Sequence, residues 1–103
     1  MTMTFVAIVH HDIQPGKLAE AQQRIDGNGY RMAARPGFRL RYLLHPAEAG
    51  DELVTVTVWD SEEAYQDWVS HNRADNPHAG KPAPYIGSPK TSLYPVASQI
   101  PAP

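Results

Sequence analysis

The sequence predicts an α+β domain of the ferredoxin-like kind, with elements in the order β-α-β-β-α-β and an antiparallel four-stranded sheet carrying both helices on one face. Three observations predict it. Four stretches have strand texture, two intervening stretches have helical spacing, and turn residues punctuate every junction. The chain is 103 residues long, which leaves room for one domain, with a core over about residues 4–97 and a tail over 98–103.

Thr4 to Ile13 (TFVAIVHHDI) is rich in β-branched and aromatic residues and reads as the first strand, which Pro15-Gly16 ends. From Lys17 the texture turns helical, with Leu18, Ala21, Ile25, Met32 and Ala33 near one face. Gly27-Asn28-Gly29 interrupts that helix, where each glycine costs about 1 kcal/mol against alanine. Either the helix kinks there or something bulky needs the room. Pro36-Gly37 closes it. Phe38 to Leu44 (FRLRYLL) alternates as a second strand, placing Phe38, Leu40, Tyr42 and Leu44 on one face and Arg39 and Arg41 on a solvated one. His45 to Asp51 is a hairpin connection to the strongest strand, Leu53 to Trp59 (LVTVTVW). Asp60 or Ser61 then caps a second helix whose apolar stripe is Tyr65, Trp68 and Val69. Beyond His71 the chain is loop-like, with four prolines and two glycines between Asn72 and Lys90. A loop of that length is often a lid or binding loop. Thr91 to Val96 reads as an edge strand, because Pro95 cannot donate to a ladder.

Composition narrows the functional classes. Hydrophobic residues make up 42% and charged residues 19%, as expected of a globular protein rather than a disordered one. There is no cysteine, which excludes disulfides and thiolate metal sites. Nine basic and eleven acidic residues are scattered without a basic run, so nucleic acid is not an expected partner. No stretch reaches the roughly 18 apolar residues that a bilayer span needs, and the apolar N-terminus lacks the charge and length of a signal peptide. The expected location is the cytoplasm. Both faces of the first and third strands are apolar, while two helices cover only one. A second copy packing sheet against sheet is the expected cover, giving a homodimer.

Three landmarks carry a family resemblance: Pro15-Gly16-Lys17 before the first helix, Pro36-Gly37-Phe38 before the second strand, and Trp59-Asp60-Ser61-Glu62-Glu63-Ala64-Tyr65 at the third strand's end. Their order and spacing resemble the antibiotic biosynthesis monooxygenase family, whose fold is the dimeric α+β barrel. The resemblance implies one of two chemistries. One branch oxidises anthrones, quinols and other polycyclic or phenolic molecules with O₂ and no cofactor, using a strand Asn, the strand-end Trp and a helix Tyr. Trp59 and Tyr65 match that pattern, and the Asn position is Thr55. The other branch binds and degrades haem with a first-strand Asn, a helix Trp and a His ligand about ten residues later. Trp68 and His78 have that spacing, and the Asn position is Val9. A dimeric binding domain without catalysis is the third alternative.

Cofactor-free oxygenation requires an apolar pocket, donors for a developing phenolate and a base. Trp59 and Tyr65 are the expected pocket residues, with His11 or His78 as proton acceptor, since an imidazole titrates near neutrality. Thr55, Trp68, His71 and Tyr85 are the expected substrate neighbours. His10 and His11 are adjacent on a strand and point to opposite faces. No histidine pair has the spacing of a metal site, so no metal is expected unless His78 ligates haem.

Overall fold

The structure is a computed structural model that describes residues 3–102. Its elements are β1 (Phe5–Asp12), α1 (Leu18–Ala33), β2 (Phe38–Leu44), β3 (Glu52–Trp59), α2 (Glu62–Ala74) and β4 (Lys90–Pro95). The strands form one antiparallel sheet in the order β2-β3-β1-β4, the ferredoxin-like arrangement. As expected, β4 lies at an edge.

Alternation along the central strands separates the faces. On β3, Leu53, Thr55, Thr57 and Trp59 are buried towards the helices, while Val54, Val56 and Val58 are only partly covered on the other side. Register carries the same division to β1, where Phe5 lies opposite Trp59, Val9 opposite Thr55 and His11 opposite Leu53. The core under the helices forms two clusters. Phe5, Trp59 and Trp68 make one, with Phe38, Tyr65 and Val69 packed around them. Ile13, Ala21, Ile25 and Leu53 make the other, with Leu43 and Tyr85 beside them. Thr55, Thr57, Val9 and His11 lie along the inner face between these ends.

Several local expectations change. The helix α1 runs through Gly27-Asn28-Gly29 as one element. Room is the reason for Gly29: a Cβ there would lie 2.7 Å from Nη1 of Arg41. The second strand does not alternate evenly. A bulge falls between Phe38 and Leu40, so Phe38 faces the helices while Leu40, Tyr42 and Leu44 face the open side. The same bulge turns Arg41 inward. Its side chain is 13% exposed and pairs with Asp26 at 3.2 Å, instead of lying on a solvated face. Gly37 adopts φ +85°, and a Cβ on it would press on Ala64 of α2, which accounts for glycine at that turn. Ser61, of the two expected caps, accepts from Ala64 N–H at 3.1 Å. Three more residues, up to Ala74, continue α2 into the expected loop.

The long 75–89 segment is tied down at several points. Ile13 bridges to Tyr85, Gln14 N–H donates to Pro84 O at 2.9 Å, and Arg24 donates to Pro82 O at 2.8 Å. No helix among the described residues is long and apolar enough to cross a membrane.

Candidate functional site

The inner face of the sheet positions the expected residues in two groups. At one end Trp59 is fully buried, and its indole N–H donates to Thr57 Oγ1 at 3.0 Å. Tyr65, one turn into α2, sets its ring 6.1 Å from that of Trp59 and 5.6 Å from that of Phe5. The Tyr65 phenol is pushed above its ordinary pKa by burial, so it stays a neutral donor at neutral pH. Trp68 is 4% exposed in the same cluster, with the Arg31 guanidinium 5.3 Å above its ring and His71 at 6.3 Å. Trp68 is thus a core residue clamped by a cation, and His71 lies at its rim.

At the other end, His11 projects from β1 towards the helices, its ring 5.3 Å from that of Tyr85 and tilted at 40° to it. Its Nδ1 is buried without a hydrogen-bond partner. Burial, then the positive charge of Arg41, then His10, hold its pKa below the ordinary imidazole value. His11 is therefore neutral at pH 7 and able to accept a proton. His10 points the opposite way and meets Glu52 at 3.0 Å, as the alternation of a strand requires.

His78 lies in the 75–89 segment, where its backbone N–H donates to Asn76 Oδ1. It lines an open cavity of about 500 Å³ with Glu20, Gln23, Arg24, Gly27 and Lys81. A smaller cavity of about 220 Å³ joins His78, Arg24 and Lys81 to Asn28 and Tyr85. Desolvation, then Arg24, Lys81 and Arg31, hold the His78 imidazole below its ordinary pKa. Tyr85 is half-buried between these groups, and burial raises its pKa despite Arg24.

The structure therefore joins Trp59 with Tyr65 and Trp68, and His11 with Tyr85, whose ring lines the smaller cavity beside His78. It does not put all of them around one atom. Phe5, the register partner of Trp59, lies six residues from His11, a separation of about 20 Å along an extended strand. Only an elongated ligand could touch both ends. Thr55, 4% exposed, lies between them. Arg24, Lys81 and Arg41 are the residues that sequence reasoning missed. Arg24 and Lys81 carried no motif, and Arg41 was hidden by the bulge. No group of three potential metal ligands occurs among the described residues.

The sequence profile described as antibiotic biosynthesis monooxygenase matches residues 4–79. Among curated proteins, none matches significantly. Among solved structures, the chain is similar to a mutant form of SnoaB, a cofactor-independent oxygenase from Streptomyces nogalater. That likeness has 19% identity and a TM-score of 0.79, and covers 97% of this chain and 99% of the other. It is also similar to MhuD, a haem-degrader from Mycobacterium tuberculosis with two haems bound in its active site. There the identity is 27% and the TM-score 0.70, over 92% of this chain and 97% of that one.

Proposed function

The chain belongs to the antibiotic biosynthesis monooxygenase family, and from that premise we propose that it is a cofactor-independent oxygenase of a phenolic or polycyclic aromatic molecule, working as a homodimer. The observation that carries the reading is His11: a half-buried, neutral imidazole on the inner sheet face, with its Nδ1 buried and without a hydrogen-bond partner. A general base must be unprotonated at the working pH and within reach of an acidic proton. His11 meets the first condition through its surroundings, and the Tyr85 ring, tilted against it at 5.3 Å, gives that end of the face an aromatic wall.

With an anthrone-type substrate, His11 takes a proton from the ring methylene or phenol, leaving an electron-rich anion. That anion reduces O₂ and a carbon–oxygen bond forms. The imidazolium of His11 returns its proton to the distal oxygen, and loss of that oxygen with the second methylene hydrogen, as water, leaves a carbonyl. One oxygen atom of O₂ ends in the quinone and the other in water. For a polycyclic substrate long enough to span the inner face, Tyr65, kept protonated by burial, is the donor at the far end. Trp59 holds that end rigid. The test is His11→Gln, assayed by oxygen uptake with an anthrone. Turnover should fall about a hundredfold or more, the usual contribution of a positioned base. Unchanged turnover would remove His11 from the mechanism.

The homodimer follows from the outer face. Tyr42 and Tyr94, on the two edge strands, are 59% and 52% exposed there, with Leu40 and Leu44 beside Tyr42 on β2 and Val56, Val58, Val6 and Ile8 on the strands between. A contiguous apolar sheet face of this size calls for a cover, and a second sheet supplies one. Light scattering at micromolar protein should give twice 11.4 kDa. A stable monomer would refute it.

Haem binding is the second reading, favoured by the neutral state of His78. The other residues do not fit a haem. Trp68, which the resemblance would set beside the macrocycle, is 4% exposed and sealed under Arg31, so it offers no face to a ring beside His78. Haemin added to the protein should leave its Soret band unchanged. A His78-dependent shift would favour this reading over the first.

A further inference from the structure

We propose that the cleft between α1 and the 75–89 segment is a carboxylate site, so that the substrate is an aromatic acid whose acid group is held by Arg24 and Lys81. The assignment of an aromatic body rests on the oxygenase reading above; the acid end is read from the cleft itself.

Two adjoining cavities, of about 500 and 220 Å³, share Arg24, His78 and Lys81 as lining. Their charges are uncompensated. Glu20 is the one carboxylate on the wall, and it pairs with Lys17 at 3.8 Å. Among the described residues neither Arg24 nor Lys81 forms an ion pair. Arg31 is nearby but committed, donating to Asn72 Oδ1 at 2.7 Å and Asn28 Oδ1 at 3.3 Å while a further N–H meets the Asp75 carbonyl. In a chain of net charge −2, an unpaired cationic pair lining one cleft is a local excess that an anion would neutralise.

The cleft is also built. Arg24 is fixed by its hydrogen bond to Pro82 O at 2.8 Å, which leaves its remaining N–H groups free to act as a planar fork for a carboxylate. Asn28 and Asn76 add amide groups to the smaller cavity, and Tyr85 forms its apolar wall. Tyr85 in turn carries His11 at 5.3 Å on its ring. An acid group at Arg24 and Lys81 therefore directs the attached ring system along Tyr85 towards the proposed base.

The experiment is equilibrium binding, which needs no turnover. The probes are anthraquinone-2-carboxylate and its neutral carboxamide, followed by calorimetry. Wild type should prefer the acid by about tenfold or more, and raising ionic strength about tenfold should erode that preference. Arg24→Gln retains a donor for Pro82 O, and Lys81→Gln alters an exposed side chain. Each should weaken acid binding about three- to tenfold while amide binding holds, and the double variant should lose the preference. Lys81→Arg should keep it. Equal binding of acid and amide, or a preference that survives the double variant, would overturn the carboxylate site and leave the aromatic reading standing. If neither probe binds wild type, both fail together.

Discussion

The two ends of the inner sheet face are built in opposite ways. At the Trp59 end, the rings of Phe5, Phe38, Trp59 and Tyr65 interlock and the Trp59 indole N–H is satisfied internally by Thr57. At the His11 end, a ring nitrogen is buried without a partner and cations line the neighbouring cleft. A buried polar atom left unpaired costs about 1–3 kcal/mol. A fold tolerates that cost most readily where a ligand supplies the missing partner. The Trp59 end therefore anchors the fold and the proposed base lies at the other, even though the family resemblance drew attention first to Trp59.

The largest expected effect tests the first half of that contrast. Trp59→Ala removes a fully buried indole and should cost about 3–5 kcal/mol in urea unfolding. In a thin core that loss should also reduce activity through the folded fraction. If stability changes by less than about 1 kcal/mol, the aromatic end is not the anchor.

The next effect belongs to His11 and can be read in pH. Its folded-state pKa lies below the unfolded value of 6.5. Above that value both states are neutral and stability is at its full level. As pH falls below it, the unfolded chain takes up the proton first and stability declines, until the folded imidazole titrates too. His78 shares the direction. His11→Gln should remove its share of the decline in urea midpoints measured downwards from neutrality. Wild-type turnover should likewise hold below the ordinary imidazole pKa. A turnover profile that drops at 6.5 or above would contradict a base kept neutral by burial.

Tyr65→Phe gives a smaller effect of a different kind. The ring stays on Phe5 and Trp59, so stability should move by no more than about 1–1.5 kcal/mol. Turnover of a polycyclic substrate long enough to reach from His11 to Tyr65 should fall roughly tenfold at matched folded fraction, as for one lost transition-state hydrogen bond. Unchanged turnover would assign Tyr65 to packing alone.

Much of the fold was legible because the signals were local. Alternation in LVTVTVW, punctuation at Pro15-Gly16 and Pro36-Gly37, and the acidic cap after Trp59 each act over a few residues. The second strand shows the limit. One extra residue at Arg39 reverses every later side chain, and nothing in FRLRYLL announces it. The candidate site was legible by halves. Trp59 and Tyr65 came from the resemblance, and His11 from its place on a strand. Arg24 and Lys81 are ordinary surface types, 57 positions apart in sequence, and only the folding of the 75–89 segment onto α1 brings them to one cleft.

The smallest expected effect separates two glycines two residues apart in α1. Gly27 is exposed, and a Cβ on it meets nothing within 4 Å. Gly27→Ala should stabilise the protein by about 0.5–1 kcal/mol, the ordinary helical gain. Gly29 has the same intrinsic gain available, but its Cβ would fall on the Arg41 guanidinium at 2.7 Å. That group ends a flexible side chain, so it can move, yet moving it breaks the bonds to Asp26 Oδ1 and Ile25 O at 3.2 and 3.0 Å. Charge-assisted bonds of this kind contribute about 1.5–3 kcal/mol, enough to outweigh the helical gain. Gly29→Ala should therefore destabilise by about 1 kcal/mol in the wild type. In an Arg41→Ala background the guanidinium is gone, and the same substitution should become stabilising. The sign reversal across this double-mutant cycle is the measurement. A Gly29→Ala effect that is the same in both backgrounds would show that Arg41 does not need the space, and that the inward turn of β2 at the bulge is not what selects glycine there.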